Sequence, residues 1–291
     1  MLSDVSFGTE SPGRGRSGPS ARGVLGLALG GGGVLGAAHL GVLKALEQFG
    51  LTPEIVTGTS VGALAGAAYA MGMSAAEIEE LALRSNWSSV GRLFPSARLG
   101  LLDPSPLDAT VRAFAGQDPD IERLPRRFGA VATDLRSRRT VVLHRGRLSQ
   151  ALKASIAIPG LFPPVVRNGQ VLVDGGMTEN LPVLACRQLG AERMIGVRLR
   201  PEWNVVPFSS AATIATLERD PNVLVIRPRI RGLSMWTISD VPALIDAGRA
   251  AADAALSASG WLPRCGPPSA PTPQSRERPE AGPEQIEREG E

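Results

Sequence analysis

Ser60 is the side chain with the clearest opportunity for chemistry. It stands in Gly58-Thr59-Ser60-Val61-Gly62, a G-x-S-x-G pattern between a short apolar run at 55–57 and a small-residue stretch reaching about Met71. A serine between a strand and a helix, flanked by glycines, fits a nucleophile elbow. The chain reverses there so tightly that only glycine tolerates the contacts on either side. The Oγ is left above a helix N-terminus, where unpaired N–H groups favour negative charge. A plain Gly/Ser turn has the same composition; the strand-turn-helix context favours the elbow.

A second glycine-bearing stretch, Gly30-Gly31-Gly32-Gly33-Val34-Leu35-Gly36, follows a strand-like run and opens a helix. Gly31, Gly33 and Gly36 satisfy G-x-G-x-x-G, a dinucleotide fingerprint when an acidic residue lies about 20 positions on. Glu54 has roughly that spacing, but it precedes the next short strand instead of ending it, the wrong place to reach a ribose. The other functional reading is an oxyanion hole, with successive backbone N–H groups aimed at a developing negative oxygen. A tight turn with close backbone packing would carry the same glycines.

A third stretch, Asp174-Gly175-Gly176, directly follows the run Val171-Leu172-Val173. A carboxylate at a strand end, before two glycines that admit another backbone, suits a general base; alone, it reads better as an Asp-Gly turn that merely reverses the chain. Of the two histidines, His39 falls on the stripe Leu35, His39, Val42, Leu46 and Phe49, the core-facing side of a helix. His144 ends a strand beside Arg145, where an exposed or hydrogen-bonded role is expected. Neither is a good base, so a Ser60–Asp174 dyad becomes attractive. An aspartate is a weak base at its reference pKa of about 3.9, and it serves if desolvated and held against the serine hydroxyl.

These residues need a frame. Strand patterns fall at 24–29, 55–57, 128–134, 140–143, 171–173, 193–199 and 223–226. Helix patterns fall at 35–49, from 60 to about 71, from 75 to about 85 behind a Ser74/Glu77 capping box, at 149–158 before Pro159, at 183–189, and at 241–259 with Gly260 beyond. The alternation predicts an α/β fold, a largely parallel sheet covered on both faces. Sites in such sheets lie at the carboxyl ends of strands, where all three glycine-bearing stretches fall. Residues 1–22 and 264–291, rich in Gly, Pro, Ser and charge, are expected to be a disordered leader and tail around one domain at 23–263.

Composition narrows the function. Hydrophobic residues make up 43% and charged residues 20% of the 291, ordinary for a globular protein. Cys186 and Cys265 cannot build a disulfide framework, and two histidines cannot build a His-rich metal site, so no metal or cofactor is expected. Aromatics at 4% argue against base stacking and a nucleic-acid partner. The apolar run 24–46 imitates a membrane helix, but its glycines, His39 and Lys44 favour strand, loop and helix. Without a convincing export signal or span, the cytoplasm is the expected location.

Together the motifs resemble the patatin-like phospholipase family, its small bacterial members in particular. The resemblance runs through Leu27-Ala28-Leu29-Gly30, Ala38-His39-Leu40-Gly41-Val42-Leu43 and Gly58-Thr59-Ser60-Val61-Gly62-Ala63-Leu64. It continues through Ala154-Ser155-Ile156-Ala157-Ile158-Pro159-Gly160-Leu161-Phe162-Pro163-Pro164-Val165, Leu172-Val173-Asp174-Gly175-Gly176 and Asn180-Leu181-Pro182-Val183. It implies a three-layer α/β/α fold and lipid acyl hydrolysis by a Ser-Asp dyad. Ser60 matches the nucleophile, Asp174 the general base, and Gly31, Gly32 and Gly33 with Val61 the oxyanion hole. Gly36, Gly58, Gly62, Gly175 and Gly176 are the remaining motif glycines. The implied partner is a lipid or other ester substrate, with peripheral contact at a membrane surface.

One departure stands out: Leu35 occupies a position where the family usually carries a basic residue. Backbone donation to an oxyanion does not need that cation, whereas loop order and head-group contact could depend on it. Apolar residues in Gly/Pro/Ser-rich segments (Leu93, Phe94, Leu99, Leu101 and Leu102; Trp203, Val205, Val206 and Phe208; Leu233, Met235, Trp236 and Ile238) suit an acyl pocket, a bilayer contact or satellite core. The Arg-rich stretches at 123–127, 136–147 and 227–231 suit solvated faces or anionic lipid. The rival functions are a non-catalytic lipid- or partner-binding regulator and a nucleotide-binding domain.

Overall fold

The computed structural model describes residues 23–84, 92–93, 102–199, 215–230, 232 and 240–261. The expected leader and tail lie outside these residues, as do Phe94, Leu99, Leu101, Trp203 to Phe208 and Leu233 to Ile238. Leu102 is described, and it packs half-buried against the core.

Ten strands are described: β1 (Leu25–Leu29), β2 (Ile55–Thr59), β3 (Arg92–Leu93), β4 (Leu102–Asp103), β5 (Arg127–Asp134), β6 (Arg139–Leu143), β7 (Val165–Arg167), β8 (Gln170–Asp174), β9 (Arg193–Val197) and β10 (Val223–Ile226). The helices with them are α1 (Ala37–Gln48), α2 (Val61–Ala70), α3 (Ala75–Arg84), α4 (Pro106–Ala115), α5 (Leu148–Ser155), α6 (Val183–Gln188) and α7 (Val241–Ser259). The apolar run 24–46 is β1, a loop and most of α1, and among the described residues no helix is long and apolar enough to cross a membrane.

Eight strands form one mixed sheet in the order β10-β9-β1-β2-β5-β8-β7, with β6 also on β5. The strands from β10 to β5 run parallel, while β6 and β8 pair antiparallel with β5 and β7 pairs antiparallel with β8. Strand residues alternate between two cores: Leu27 and Leu29 join the larger cluster with α1, α2, α5 and α7, and Ala28 joins the smaller one with Val183 and Cys186 of α6. Burial on both faces makes this a three-layer α/β/α fold. Helices α1 and α7 cross backbone to backbone: a methyl at Gly41 would lie 1.9 Å from the Ile245 carbonyl oxygen, and one at Gly248 would lie 2.0 Å from that of Ala38.

The pairing on β5 decides where chemistry can occur. β2 pairs with residues 127–131 of β5, β8 with 132–134, and β6 with 130–134. A strand has two edges, and β6 overlaps both of the others, so β2 and β8 share the opposite edge. They run towards each other along it. Thr59 faces Val131 and Asp174 faces Ala132, on successive residues of β5. The carboxyl ends of two strands distant in sequence therefore converge at one point.

Candidate active site

Ser60 follows β2 at that point with φ 55° and ψ −124°, a left-handed backbone that few side chains adopt. Such a conformation costs on the order of 1–3 kcal/mol and persists only where its surroundings enforce it. Here the flanking glycines allow it. A methyl at Gly58 would lie 2.3 Å from the Gly62 carbonyl oxygen, and one at Gly62 would lie 2.1 Å from that of Leu29. The Ser60 N–H does not point into solvent. It donates to Ser155 Oγ at 3.0 Å, and that hydroxyl donates to the Val131 carbonyl at 2.7 Å.

Asp174 ends β8. Its Oδ1 accepts from the Gly176 N–H at 2.7 Å, and its own N–H donates to the Ala157 carbonyl at 3.0 Å. Its Oδ2 is buried and makes no hydrogen bond of conventional geometry among the described residues. Burial pushes this carboxyl up from 3.8 to about 6, against the smaller pull of the Ser60 hydroxyl and the Gly176 N–H. Ser60 and Asp174 are each 8% exposed, so both keep a narrow opening to a reactant. The chain beyond Asp174 is laced to β2: Thr59 Oγ1 donates to the Glu179 carbonyl at 2.8 Å and Thr57 Oγ1 to the Pro182 carbonyl at 2.7 Å.

The glycine loop after β1 lies against the same point. A methyl at Gly31 would lie 3.4 Å from Ser60 Cβ and 2.6 Å from Asn180 Oδ1. Gly31 was expected among the oxyanion donors, but its N–H is already donated to the Asn180 carbonyl at 3.1 Å. Among the described residues, the N–H groups of Gly32, Gly33 and Val61 donate to no hydrogen-bond acceptor. Gly36 packs on Val61, at 2.4 Å from a methyl placed on it, and so ties this loop to the elbow. Leu35 is 6% exposed and packs in the core, so no head-group-facing side chain stands at that position. Gly175 crosses directly over the Val131 carbonyl, leaving 2.4 Å for a methyl.

His39 is fully buried in α1. Its Nε2 donates to the Gly30 carbonyl at 2.8 Å, and its Nδ1 has no hydrogen-bond partner among the described residues. Burial pushes its pKa down from 6.5 to about 4, so the ring is neutral near pH 7. It supports the glycine loop from inside the core and does not reach Ser60 Oγ through any described hydrogen bond. His144 is half-buried beyond the end of β6. In the sequence, Ser155 and Asn180 stand out only as parts of longer motifs; no spacing rule ties a helix-ending serine to a distant elbow. Among the described residues no cluster of three or more His, Cys, Asp or Glu could hold a metal ion. Cys186 is buried, its thiol pushed up to about 12, and is inert as a nucleophile.

A serine hydroxyl beside a desolvated carboxylate, under free backbone N–H groups, is an arrangement for acyl transfer. A family model for patatin-like phospholipase matches residues 27–187, which takes in every residue of this arrangement. The chain belongs to the patatin-like phospholipase family. An uncharacterized NTE family protein of Mycobacterium tuberculosis is 34% identical over 282 residues, covering 82% of this chain and 48% of that protein. Patatin-like phospholipase domain-containing protein 6 of Mus musculus is 36% identical over 179 residues, covering 59% of this chain and 13% of that protein. The chain thus spans about half the length of the mycobacterial relatives it matches. Among solved structures, VipD from Legionella pneumophila superimposes with a TM-score of 0.50 at 15% identity, covering 84% of this chain and 68% of that one. Full-length ExoU in complex with SpcU, from Pseudomonas aeruginosa, gives 0.50 at 16% identity, covering 90% and 61%. At those identities the likeness carries the fold of this patatin-like chain and nothing further.

Proposed function

We propose that this patatin-like chain is a lipid acyl hydrolase that cleaves carboxylic esters through an acyl-enzyme on Ser60, with Asp174 as the general base. Ser60 Oγ attacks the ester carbonyl as its proton passes to Asp174. The carbonyl oxygen becomes an oxyanion held by the N–H groups of Gly32, Gly33 and Val61. Collapse breaks the bond to the alcohol, which leaves with the proton from Asp174. Water then attacks the acyl-enzyme as Asp174 takes its proton, and collapse breaks the bond to Ser60 Oγ, which recovers the proton from Asp174 as the fatty acid is released.

The observation that carries this reading is the meeting of β2 and β8 on one edge of β5. It sets the Ser60 hydroxyl beside a carboxylate whose pKa has been raised by burial to about 6, high enough to accept a proton and low enough to be ionised at neutral pH. The lipid substrate is supported by the family, and access to it implies peripheral contact with a membrane surface. Ser60→Ala should abolish hydrolysis of short-chain esters and of phospholipid vesicles while leaving the far-UV circular dichroism unchanged. Wild-type hydrolysis in that variant would contradict the proposal. A wild-type chain that binds vesicles without turnover would instead favour a regulator.

A further inference from the structure

The sheet has a gap at the site. β2 ends at Thr59 opposite Val131, and β8, arriving from the other direction, ends its pairing at Asp174 opposite Ala132. The Val131 carbonyl lies where the two strands meet. It accepts from Ser155 Oγ at 2.7 Å, and Ser155 Oγ in turn accepts the Ser60 N–H at 3.0 Å. Two residues further on, the Ala157 carbonyl accepts the Asp174 N–H at 3.0 Å. One short segment at the end of α5 therefore holds the main chain of both Ser60 and Asp174. Ser155 is completely buried and its hydroxyl both donates and accepts within the site.

Resting on the dyad reading above, we propose that Ser155 is a positioning residue of the reaction: its hydroxyl fills the gap between β2 and β8, fixes the left-handed backbone of Ser60, and with the Ala157 carbonyl sets nucleophile against base. The physical case is that φ 55° at a serine is strained and needs restraint from outside the turn. An alanine at 155 would take away the acceptor of the buried Ser60 N–H and the hydroxyl donor to the Val131 carbonyl. The Ser60 backbone could then relax, carrying Oγ away from Asp174. A misplacement of about 1 Å can cost on the order of 100-fold in turnover.

The test is turnover per competent serine in the full chain, with active sites counted by stoichiometric fluorophosphonate labelling. Ser155→Ala should lower kcat per labelled site about 10- to 100-fold, with KM for a soluble ester within about twofold, and should slow labelling of Ser60 in parallel. If Ser155→Ala does not fold, Ser155→Cys keeps the volume with a weaker donor and acceptor, and a smaller fall in the same direction is expected. A purely structural role would lower the melting temperature and the number of labelled sites but leave kcat per site unchanged. Wild-type kcat per site in whichever of the two variants folds would overturn the proposal. Ser60→Ala run alongside separates the two failures: wild-type hydrolysis there removes the dyad itself, whereas its loss with an unaffected Ser155 variant removes only the positioning role.

Discussion

Ser60 and Asp174 meet because two strands end head to head on one edge of β5, Thr59 opposite Val131 and Asp174 opposite Ala132. A parallel sheet alone delivers strand ends to one rim but spaces them a strand apart. The antiparallel β8 enters the line of β2 and brings a carboxylate to the serine without an intervening histidine. Desolvation is the largest influence on Asp174, the proposed base, and the first prediction follows from it.

Activity should rise with pH through an inflection near 6, the pKa to which burial lifts Asp174. Below it the carboxyl is protonated and cannot accept the serine proton. The same shift makes Asp174 costly to the fold. Below about pH 3.8 both folded and unfolded chains hold the proton; between 3.8 and 6 only the folded chain does, so stability falls as pH rises across that window. The difference of roughly two pKa units amounts to about 3 kcal/mol. Asp174→Asn should therefore lose orders of magnitude in kcat yet unfold at higher denaturant concentration than wild type at pH 7.5, with the advantage shrinking towards pH 4. Equal midpoints at both pH values would refute the desolvation argument.

His39 should not be the base. His39→Gln removes a buried ring and its bond to the Gly30 carbonyl, so it should lower stability. Its kcat–pH profile, normalised to labelled serine, should keep the inflection near 6. His144→Ala should leave both activity and stability close to wild type. Disappearance of the inflection in either variant would point to a histidine in the proton path.

Gly32→Ala should act on the transition state. Gly32 is extended at φ 172°, so an alanine meets no backbone strain; its methyl would instead press on Leu199 at 3.1 Å and shift the loop. Displacing an oxyanion donor costs about 10²–10³ in kcat. KM should change little, because the charge develops only after binding. A dinucleotide titration of the wild type should show no binding. Unaltered kcat with tight dinucleotide binding would return the glycine loop to the nucleotide reading.

Much of this was legible in the sequence, and the gaps have physical causes. β10 and α7 occupy the residues their patterns predict, with Gly260 closing α7 in a left-handed conformation at φ 66°. The Ser74/Glu77 capping box forms as well, through the Ser74 N–H to Glu77 and the Glu77 N–H to Ser74 Oγ at 3.3 Å. Helix α5 stops at Ser155, short of Pro159, because the chain turns there to bring the Ala157 carbonyl to Asp174. Helix α4 lies outside the helix patterns of the sequence although Pro106 opens it and Gly116, at φ 71°, closes it; it follows a segment rich in glycine and proline. β7 lies outside the strand patterns too, despite Asn168-Gly169, both at positive φ, joining it to β8 as a hairpin. β8 of that hairpin and β6, both antiparallel to β5, make the sheet mixed. Gly31 could not be excluded as an oxyanion donor from sequence, since its N–H is claimed by Asn180, a residue distant in the chain.

Helix crossing offers a control remote from the site. Gly41→Ala would force α1 and α7 apart at a contact of 1.9 Å, and overpacking of this kind typically costs about 1–3 kcal/mol. A drop of several degrees in melting temperature is expected, with kcat per labelled serine unchanged. A selective loss of kcat would show that the α1–α7 contact bears on the site.

The most direct test is covalent. Intact-mass spectrometry of the wild-type chain after fluorophosphonate treatment at pH 7.5, followed by peptide mapping, should find one adduct, on Ser60. The adduct should be absent from Ser60→Ala and form far more slowly in Asp174→Asn. Ester hydrolysis should fall in proportion to the labelled fraction. An unlabelled Ser60 in a folded, hydrolysing chain, or an adduct on another residue that accounts for the lost activity, would contradict the account.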